Sequence, residues 1–69
     1  MDFTYDVTAV SHDGQRVPLA GGTSYSMAHD IARRRSADAA WSAVEIREAE
    51  TGRICGTYAG GRPVPSAVR

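Results

Sequence analysis

The chain contains no lysine, no asparagine and only one cysteine in its 69 residues. Its eight basic residues are therefore all arginine, and eight Asp and Glu residues balance them to a net charge of zero at pH 7. A neutral chain has no general field that would attract nucleic acid or an anionic membrane surface. Because Ala, Arg and Gly abound while Lys and Asn are missing, we infer a GC-rich coding genome and expect a bacterial or phage source.

Several other patterns are missing as well. A single cysteine cannot form an internal disulfide, which indicates a reducing compartment. Cys55, His12 and His29 do not have the spacing of metal ligands, so we expect no metal and no other cofactor. No apolar run approaches the ~20 residues that a membrane span needs, and the first residues, MDFTYD, lack the basic-then-apolar pattern of a signal peptide. We therefore expect a cytoplasmic protein that contacts no membrane.

What the sequence does contain is two segments typical of β-hairpins. In the first, a two-residue turn at Asp13-Gly14 would split the apolar residues between the two faces of the sheet. A three-residue loop with Gly14 as a left-handed bulge residue instead pairs Ala9 with Val17 and Val7 with Leu19, and it collects the apolar residues on one face. We therefore predict the bulge, with a shared apolar face made by Phe3, Tyr5, Val7, Ala9, Val17 and Leu19.

The second hairpin gives the same result when Gly52 is the bulge residue. This register pairs Val44 with Tyr58, Ile46 with Gly56, and Glu48 with Ile54. One face of the hairpin is then apolar, and it consists of Val44, Ile46, Ile54 and Tyr58. The other face is open to solvent and consists of Glu45, Arg47, Cys55 and Thr57.

Between the hairpins, the pattern predicts one helix. Thr23 or Ser24 can cap its first amides. At 100° per residue, one apolar stripe about two turns long follows, with a break near Ser36. The members of this stripe are Met27, Ala28, Ile31 and Ala32.

Three consecutive arginines end the helix, and consecutive residues on a helix cannot form one patch. Arg33 and Arg34 fall on the polar side within one turn of Asp30, which predicts local ion pairs. Arg35 falls on the apolar stripe, so either the helix ends there or the side chain extends outward to solvent. Cations in the last turn also suit the negative end of the helix dipole.

The predicted fold class is α+β, with element order ββαββ. A right-handed crossover gives a four-stranded antiparallel sheet of order 2-1-3-4 with the helix on one face. Pro18 supports this order, because a residue without an amide hydrogen belongs on an edge strand. Residues 1–59 are predicted to form a single small domain, and residues 60–69 a flexible C-terminal tail.

The sequence contains no catalytic constellation, so we do not expect an enzyme. The leading hypothesis is a small protein-protein interaction module: an adaptor, a regulator or a stoichiometric inhibitor, for example a phage inhibitor of a host complex. It would bind a protein partner of unknown identity, or a second copy of itself as a dimer, through the unguarded edge of the fourth strand. The residues assigned to this edge and its rim are Arg53, Ile54, Cys55, Gly56, Thr57, Tyr58 and Arg62.

Two alternatives come from different classes of function. The first is a nucleic-acid-binding module, which would use Arg16, Arg33, Arg34 and Arg62. It is less favoured because the charges on the open face of the sheet cancel and no aromatic ring projects from that face to stack on a base. The second is a thiol-based enzyme or redox sensor at Cys55, which the predicted register places opposite the cation of Arg47.

Overall fold

The structure is a computed structural model that describes residues 3–65. Five strands and one helix follow in chain order: β1 (Tyr5–Ser11), β2 (Arg16–Thr23), α1 (Tyr25–Ser36), β3 (Trp41–Glu48), β4 (Ile54–Ala59) and β5 (Arg62–Pro63). Every neighbouring pair of strands is antiparallel, and the spatial order is β2-β1-β3-β4-β5. The α+β class and the order of the first four strands match the prediction, but the described sheet has five strands rather than four.

The fifth strand forms because Gly60 and Gly61 have φ values of +61° and +79°. Two such residues form the tight hairpin turn that matches the twist of antiparallel strands. Beyond the turn, the amide of Val64 donates to the carbonyl of Thr57 at 2.8 Å. The prediction of a flexible tail over residues 60–69 did not anticipate this strand, and residues 66–69 lie outside the described part of the chain.

Ser36, at the end of α1, ties this turn to the helix. Its hydroxyl donates to the carbonyl of Arg33 at 3.1 Å and accepts from the amide of Gly61 at 3.0 Å. The side chain is only 3% exposed. A residue that the sequence marked only as a break in the helix is therefore the anchor of β5.

We expect Ser36→Ala to destabilise the fold by about 1–2 kcal/mol, because the amide of Gly61 loses its acceptor in a partly buried position. Thermal unfolding measures the loss, and amide hydrogen exchange locates it. Exchange should accelerate more at Gly61 and Val64, which can open locally, than at Val7 in the core, which reports the global loss alone. Equal acceleration at all three amides would show that Ser36 does not act on β5 in particular.

The first hairpin has the predicted turn, with Gly14 at φ +89° and Ala9 opposite Val17. Farther from the turn the register shifts, so that Val7 lies opposite Ala20 rather than Leu19. A second shift precedes the pairing of Tyr5 with Thr23, across the segment that contains Gly21 and Gly22. The predicted apolar face is therefore correct in β1 and only partly correct in β2, whose Val17 is 38% exposed.

The second hairpin also departs from the predicted register. Val44 faces Tyr58 and Ile46 faces Gly56 as expected, but Ile54 lies opposite Arg47 rather than Glu48. The bonds from Glu48 N to Arg53 O (2.9 Å) and from Gly52 N to Glu48 O (2.7 Å) close a four-residue loop.

The extra loop residue is compensated by a β-bulge at Cys55, which moves Ile54 to the open face of the sheet. Ile54 is accordingly 45% exposed. Cys55 instead packs against the core beneath α1. The predicted faces of these two residues are therefore exchanged.

Helix α1 is capped by Ser24, whose hydroxyl accepts from the amide of Met27 at 3.2 Å. Thr23, the other candidate, donates instead to the carbonyl of Tyr5 at 3.3 Å. Met27 is 51% exposed and does not belong to the buried stripe. The buried residues of the helix are Ala28, Ala32 and Ser36. Within residues 3–65, six fully buried residues form the core between helix and sheet: Val7, Ala9, Ala28, Ala32, Val44 and Ile46.

Candidate functional site

The outer edge of β4 is only half available. β5 pairs with Tyr58 and Ala59, and Thr57 accepts a hydrogen bond from Val64. The predicted open edge from Ile54 to Tyr58 is therefore closed over its second half. Among residues 3–65, no strand lies beside the first half, Ile54–Gly56.

The geometry of the second hairpin shows how this free half presents its backbone. Glu48 and Arg53 form a hydrogen-bonded pair. In an antiparallel ladder the following residue turns its N–H and C=O away from the partner strand. Ile54 therefore directs both backbone groups to the outer edge, beside its own exposed side chain. Arg53 and Arg62, the predicted rim residues, lie at opposite ends of β4 and are both exposed.

The opposite edge of the sheet, β2, is guarded as predicted. The amide of Ser11 donates to the carbonyl of Gln15 at 2.8 Å. This bond determines which opposite residues along the hairpin form hydrogen-bonded pairs and which form non-hydrogen-bonded pairs. Pro18, opposite Thr8, falls in a non-bonded pair, so its nitrogen faces outward where an amide would otherwise be free. The missing donor discourages strand addition on this side.

Cys55 does not lie on the open face. It is half-buried against the core, and its thiol makes a weak contact with the carbonyl of Arg53 at 3.6 Å. Desolvation is the main cause that raises the pKa of Tyr5, and the neighbouring Cys55 and Glu48 raise it further. Cys55 therefore lies on the helix side of the sheet, where it packs against the core.

The cation that was predicted to face this thiol is engaged elsewhere. Arg47 lies opposite Ile54 and donates to the carbonyl of Gly52 at 2.9 Å and to the carboxylate of Glu45 at 3.3 Å. The predicted pairing of Arg47 with Cys55 is therefore wrong. The hypothesis of a reactive thiol loses the contact that was its physical basis.

The arginines at the helix end form the predicted ion pairs. Asp30 contacts Arg33 Nη2 through Oδ1 at 2.6 Å and Arg34 Nη2 through Oδ2 at 2.7 Å. The helix continues through Ser36, and Arg35 is exposed beside Ile31. Of the two alternatives for Arg35, an outward-extending side chain is the one observed.

The four arginines of the nucleic-acid hypothesis do not share a surface. Arg16 pairs with Glu45 at 3.3 Å across the open face of the sheet. Arg33 and Arg34 lie on the helix, which covers the other face, while Arg62 lies in β5. The structure therefore brings together only two of the four.

We expect the double variant Arg33→Gln, Arg34→Gln to change the free energy of unfolding by less than about 1 kcal/mol, because exposed ion pairs contribute little to stability. Chemical denaturation measures this difference. Titration with duplex DNA and with RNA at several salt concentrations provides the functional test, since phosphate contacts give a steep salt dependence. Tight binding by the parent that the variant loses would favour the nucleic-acid hypothesis over a protein partner.

A shallow depression lies between the first turns of α1 and the second half of β4. Its volume is about 340 Å³. We call it the tyrosine depression, and it is lined by Tyr25, Ser26, His29, Asp30, Arg33 and Tyr58. The ring centroids of Tyr25 and His29 are 4.3 Å apart, and those of His29 and Tyr58 are 5.6 Å apart. Tyr5 extends this aromatic cluster, with its ring 5.2 Å from that of Tyr25.

His29 connects the helix to the sheet within this cluster. Its Nδ1 lies 2.8 Å from the hydroxyl of Tyr58, while its Nε2 is buried and has no hydrogen-bond partner among residues 3–65. The imidazole fits because Gly56 lies beneath it, where a Cβ would come within 3.3 Å of Cε1. The sequence interpretation missed this site because 29 residues separate His29 from Tyr58. The available signal was a glycine inside a strand, which often marks a close approach.

Comparisons with protein-family models, with curated proteins and with solved structures each find no match to this chain. Function is therefore inferred from the chain's own residues. Helix α1, with its 12 residues, is not long and apolar enough to cross a membrane. Within residues 3–65, no cluster of three or more His, Cys, Asp or Glu side chains could hold a metal ion.

Proposed function

We propose that this chain is a small non-enzymatic protein-interaction module of the cytoplasm, acting as an adaptor, regulator or stoichiometric inhibitor. It binds an extended segment of a partner protein, or of a second copy, along the first half of β4. The observation that carries this proposal is that β5 ends beside Tyr58 and that, among residues 3–65, no strand lies beside Ile54–Gly56.

The chemistry of this edge suits strand addition. The outward N–H and C=O of Ile54 offer one bonded register position to an incoming strand. Ile54 and Val64 are each 45% exposed, and their side chains supply apolar contact to the incoming strand. The other edge carries the outward nitrogen of Pro18. The contrast between a guarded and an unguarded edge supports an interface at β4.

The experiment separates the backbone of Ile54 from its side chain. Ile54→Ala keeps the outward amide and removes most of the side chain, whereas Ile54→Pro removes the amide as well. Sedimentation of the purified chain tests pairing with a second copy, and retention of host proteins on the immobilised chain tests pairing with a partner. Circular dichroism first confirms that both variants fold.

We expect Ile54→Pro to abolish association and Ile54→Ala to weaken it by no more than about tenfold, since one exposed side chain contributes about 1 kcal/mol. A parent chain that stays monomeric, together with retained proteins that bind both variants as well as the parent, would contradict the proposal. Loss of binding in both variants to the same extent would assign the contact to the side chain rather than to strand addition.

A further inference from the structure

The hydrogen bond between His29 and Tyr58 determines which hydrogen-bond donors the tyrosine depression offers to a ligand. A neutral imidazole carries one N–H donor and one acceptor nitrogen. A hydrogen on the buried Nε2 of His29 would have no acceptor in the described part of the chain, whereas a lone pair there is the less costly unpaired group. The hydrogen therefore belongs on Nδ1, which donates to the hydroxyl oxygen of Tyr58 at 2.8 Å.

This assignment leaves the hydroxyl hydrogen of Tyr58 unused by His29. The hydroxyl can donate it into the depression that Tyr58 lines. Arg33, on the same lining, uses Nη2 on Asp30 and has further N–H donors in its guanidinium group. These two donors therefore line one cavity together with the rings of Tyr25, His29 and Tyr58.

The charged groups of the lining select the sign of the ligand. Among the described residues, Asp30 supplies the one carboxylate of the lining, and its two oxygens are held by Arg33 at 2.6 Å and by Arg34, outside the lining, at 2.7 Å. Both carboxylate oxygens are therefore engaged, while the guanidinium of Arg33 keeps further N–H donors. An oxyanion can accept from these donors, whereas a ligand cation would find no free carboxylate there.

We propose that the tyrosine depression binds an aromatic ring that carries a carboxylate. The ring packs against Tyr25 and Tyr58, and the carboxylate accepts from the Tyr58 hydroxyl and the Arg33 guanidinium. A volume of about 340 Å³ is at the lower end of small-ligand pockets and suits a single ring. Such a group exists as a free aromatic acid and as the aromatic C-terminal residue of a peptide.

The test is an NMR titration of the ¹⁵N-labelled chain with 4-hydroxybenzoate. We expect saturable shifts confined to the amides of residues around Tyr25, His29 and Tyr58, with a Kd on the order of 1 mM. Benzyl alcohol, which lacks the carboxylate, and cyclohexanecarboxylate, which lacks the flat ring, should each bind at least about tenfold more weakly. Shifts elsewhere, no saturation, or equal binding of either analogue would overturn the proposal.

Two variants with a matched control locate the contacts. Tyr58→Phe removes the hydroxyl and keeps the ring, and we expect about tenfold weaker binding. Arg33→Gln should weaken binding similarly, while Arg34→Gln, which removes the same charge outside the lining, should change it less than about twofold. Equal effects of the two arginine variants would indicate a general electrostatic attraction rather than a direct hydrogen bond from Arg33. That result would contradict the assigned geometry.

A second pair of probes distinguishes a free aromatic acid from the aromatic C-terminal residue of a peptide. The tripeptide Gly-Gly-Phe with a free carboxylate should compete with 4-hydroxybenzoate, and its C-terminal amide should not. Binding of the peptide more tightly than the free acid indicates a chain end, and the reverse indicates a free aromatic acid. Independently, ¹⁵N shifts of the His29 ring should report the Nδ1–H tautomer, and the Nε2–H tautomer would remove the donor on Tyr58 and with it the proposal.

Discussion

Replacing Ile46 with alanine is expected to lower the free energy of unfolding by about 2–5 kcal/mol. Ile46 is 0% exposed and is among the largest fully buried side chains, between α1 and the sheet. A chain of 69 residues has a total stability of about 3–10 kcal/mol at typical values per residue. Loss of this one side chain therefore removes a large part of the total, and the variant should be partly unfolded at moderate temperature.

The matched control is Ile54→Ala, the same substitution on the neighbouring strand at a side chain that is 45% exposed. We expect it to cost less than about 1 kcal/mol. Ile31, which the sequence also placed in the core, is only half-buried and should fall between the two. Urea denaturation of the three variants gives the ranking, and similar losses for Ile46 and Ile54 would contradict the bulge at Cys55.

The second large effect is expected for Gly56→Ala, which should destabilise by about 1–3 kcal/mol through overpacking. The added Cβ would lie 3.3 Å from Cε1 of His29, closer than ordinary contact distance. The imidazole cannot easily move away, because its Nδ1 is hydrogen-bonded to the hydroxyl of Tyr58 and its ring packs against Tyr25. The substitution should also disturb the tyrosine depression, which the ring signals of Tyr58 would report.

Gly21→Ala is the control, since Gly21 also lies in a strand and its φ is not positive. Its added Cβ would meet only the end of the flexible Asp6 side chain, at 3.4 Å. We expect no loss there, or a gain of about 0.4–1 kcal/mol from the smaller entropy of the unfolded chain. If Gly56→Ala were as well tolerated as Gly21→Ala, the packing of His29 on β4 would be wrong.

The fold was largely predictable because periodicity and turn glycines carry most of the information about these elements. The alternation in β1 and β3 places Val7, Ala9, Val44 and Ile46 on one face, and all four are fully buried. Gly14 and Gly52 adopt the predicted left-handed conformation. These features depend on local patterns, which is why they can be read from the sequence.

The errors have a different origin, since each depends on contacts between residues distant in the chain. The four-residue loop that ends at Gly52 and the bulge at Cys55 together preserve the predicted pairs of Val44 with Tyr58 and of Ile46 with Gly56. Only packing against the helix decides which of Ile54 and Cys55 faces inward. β5 was missed because its two residues have no periodicity, and its anchor is the distant Ser36.

The candidate site was predictable in part. The edge of β4 follows from strand order, but β5 closes its second half. The tyrosine depression was not predicted, because Tyr25 at the start of the helix and Tyr58 in β4 meet only in the folded chain. The ion pairs of Asp30 were predicted, because they lie within one turn of a helix.

The most direct test of the proposed function is amide hydrogen exchange at Ile54 in the free chain and in its complex with a partner or a second copy. In the free chain this amide faces the open edge and should exchange quickly, in contrast to the buried amide of Val44 on β3. On association, strand addition predicts at least about tenfold slower exchange at Ile54 and little change at Arg16 on the far edge. An association that slows exchange elsewhere and leaves Ile54 as fast as in the free chain would contradict binding through β4.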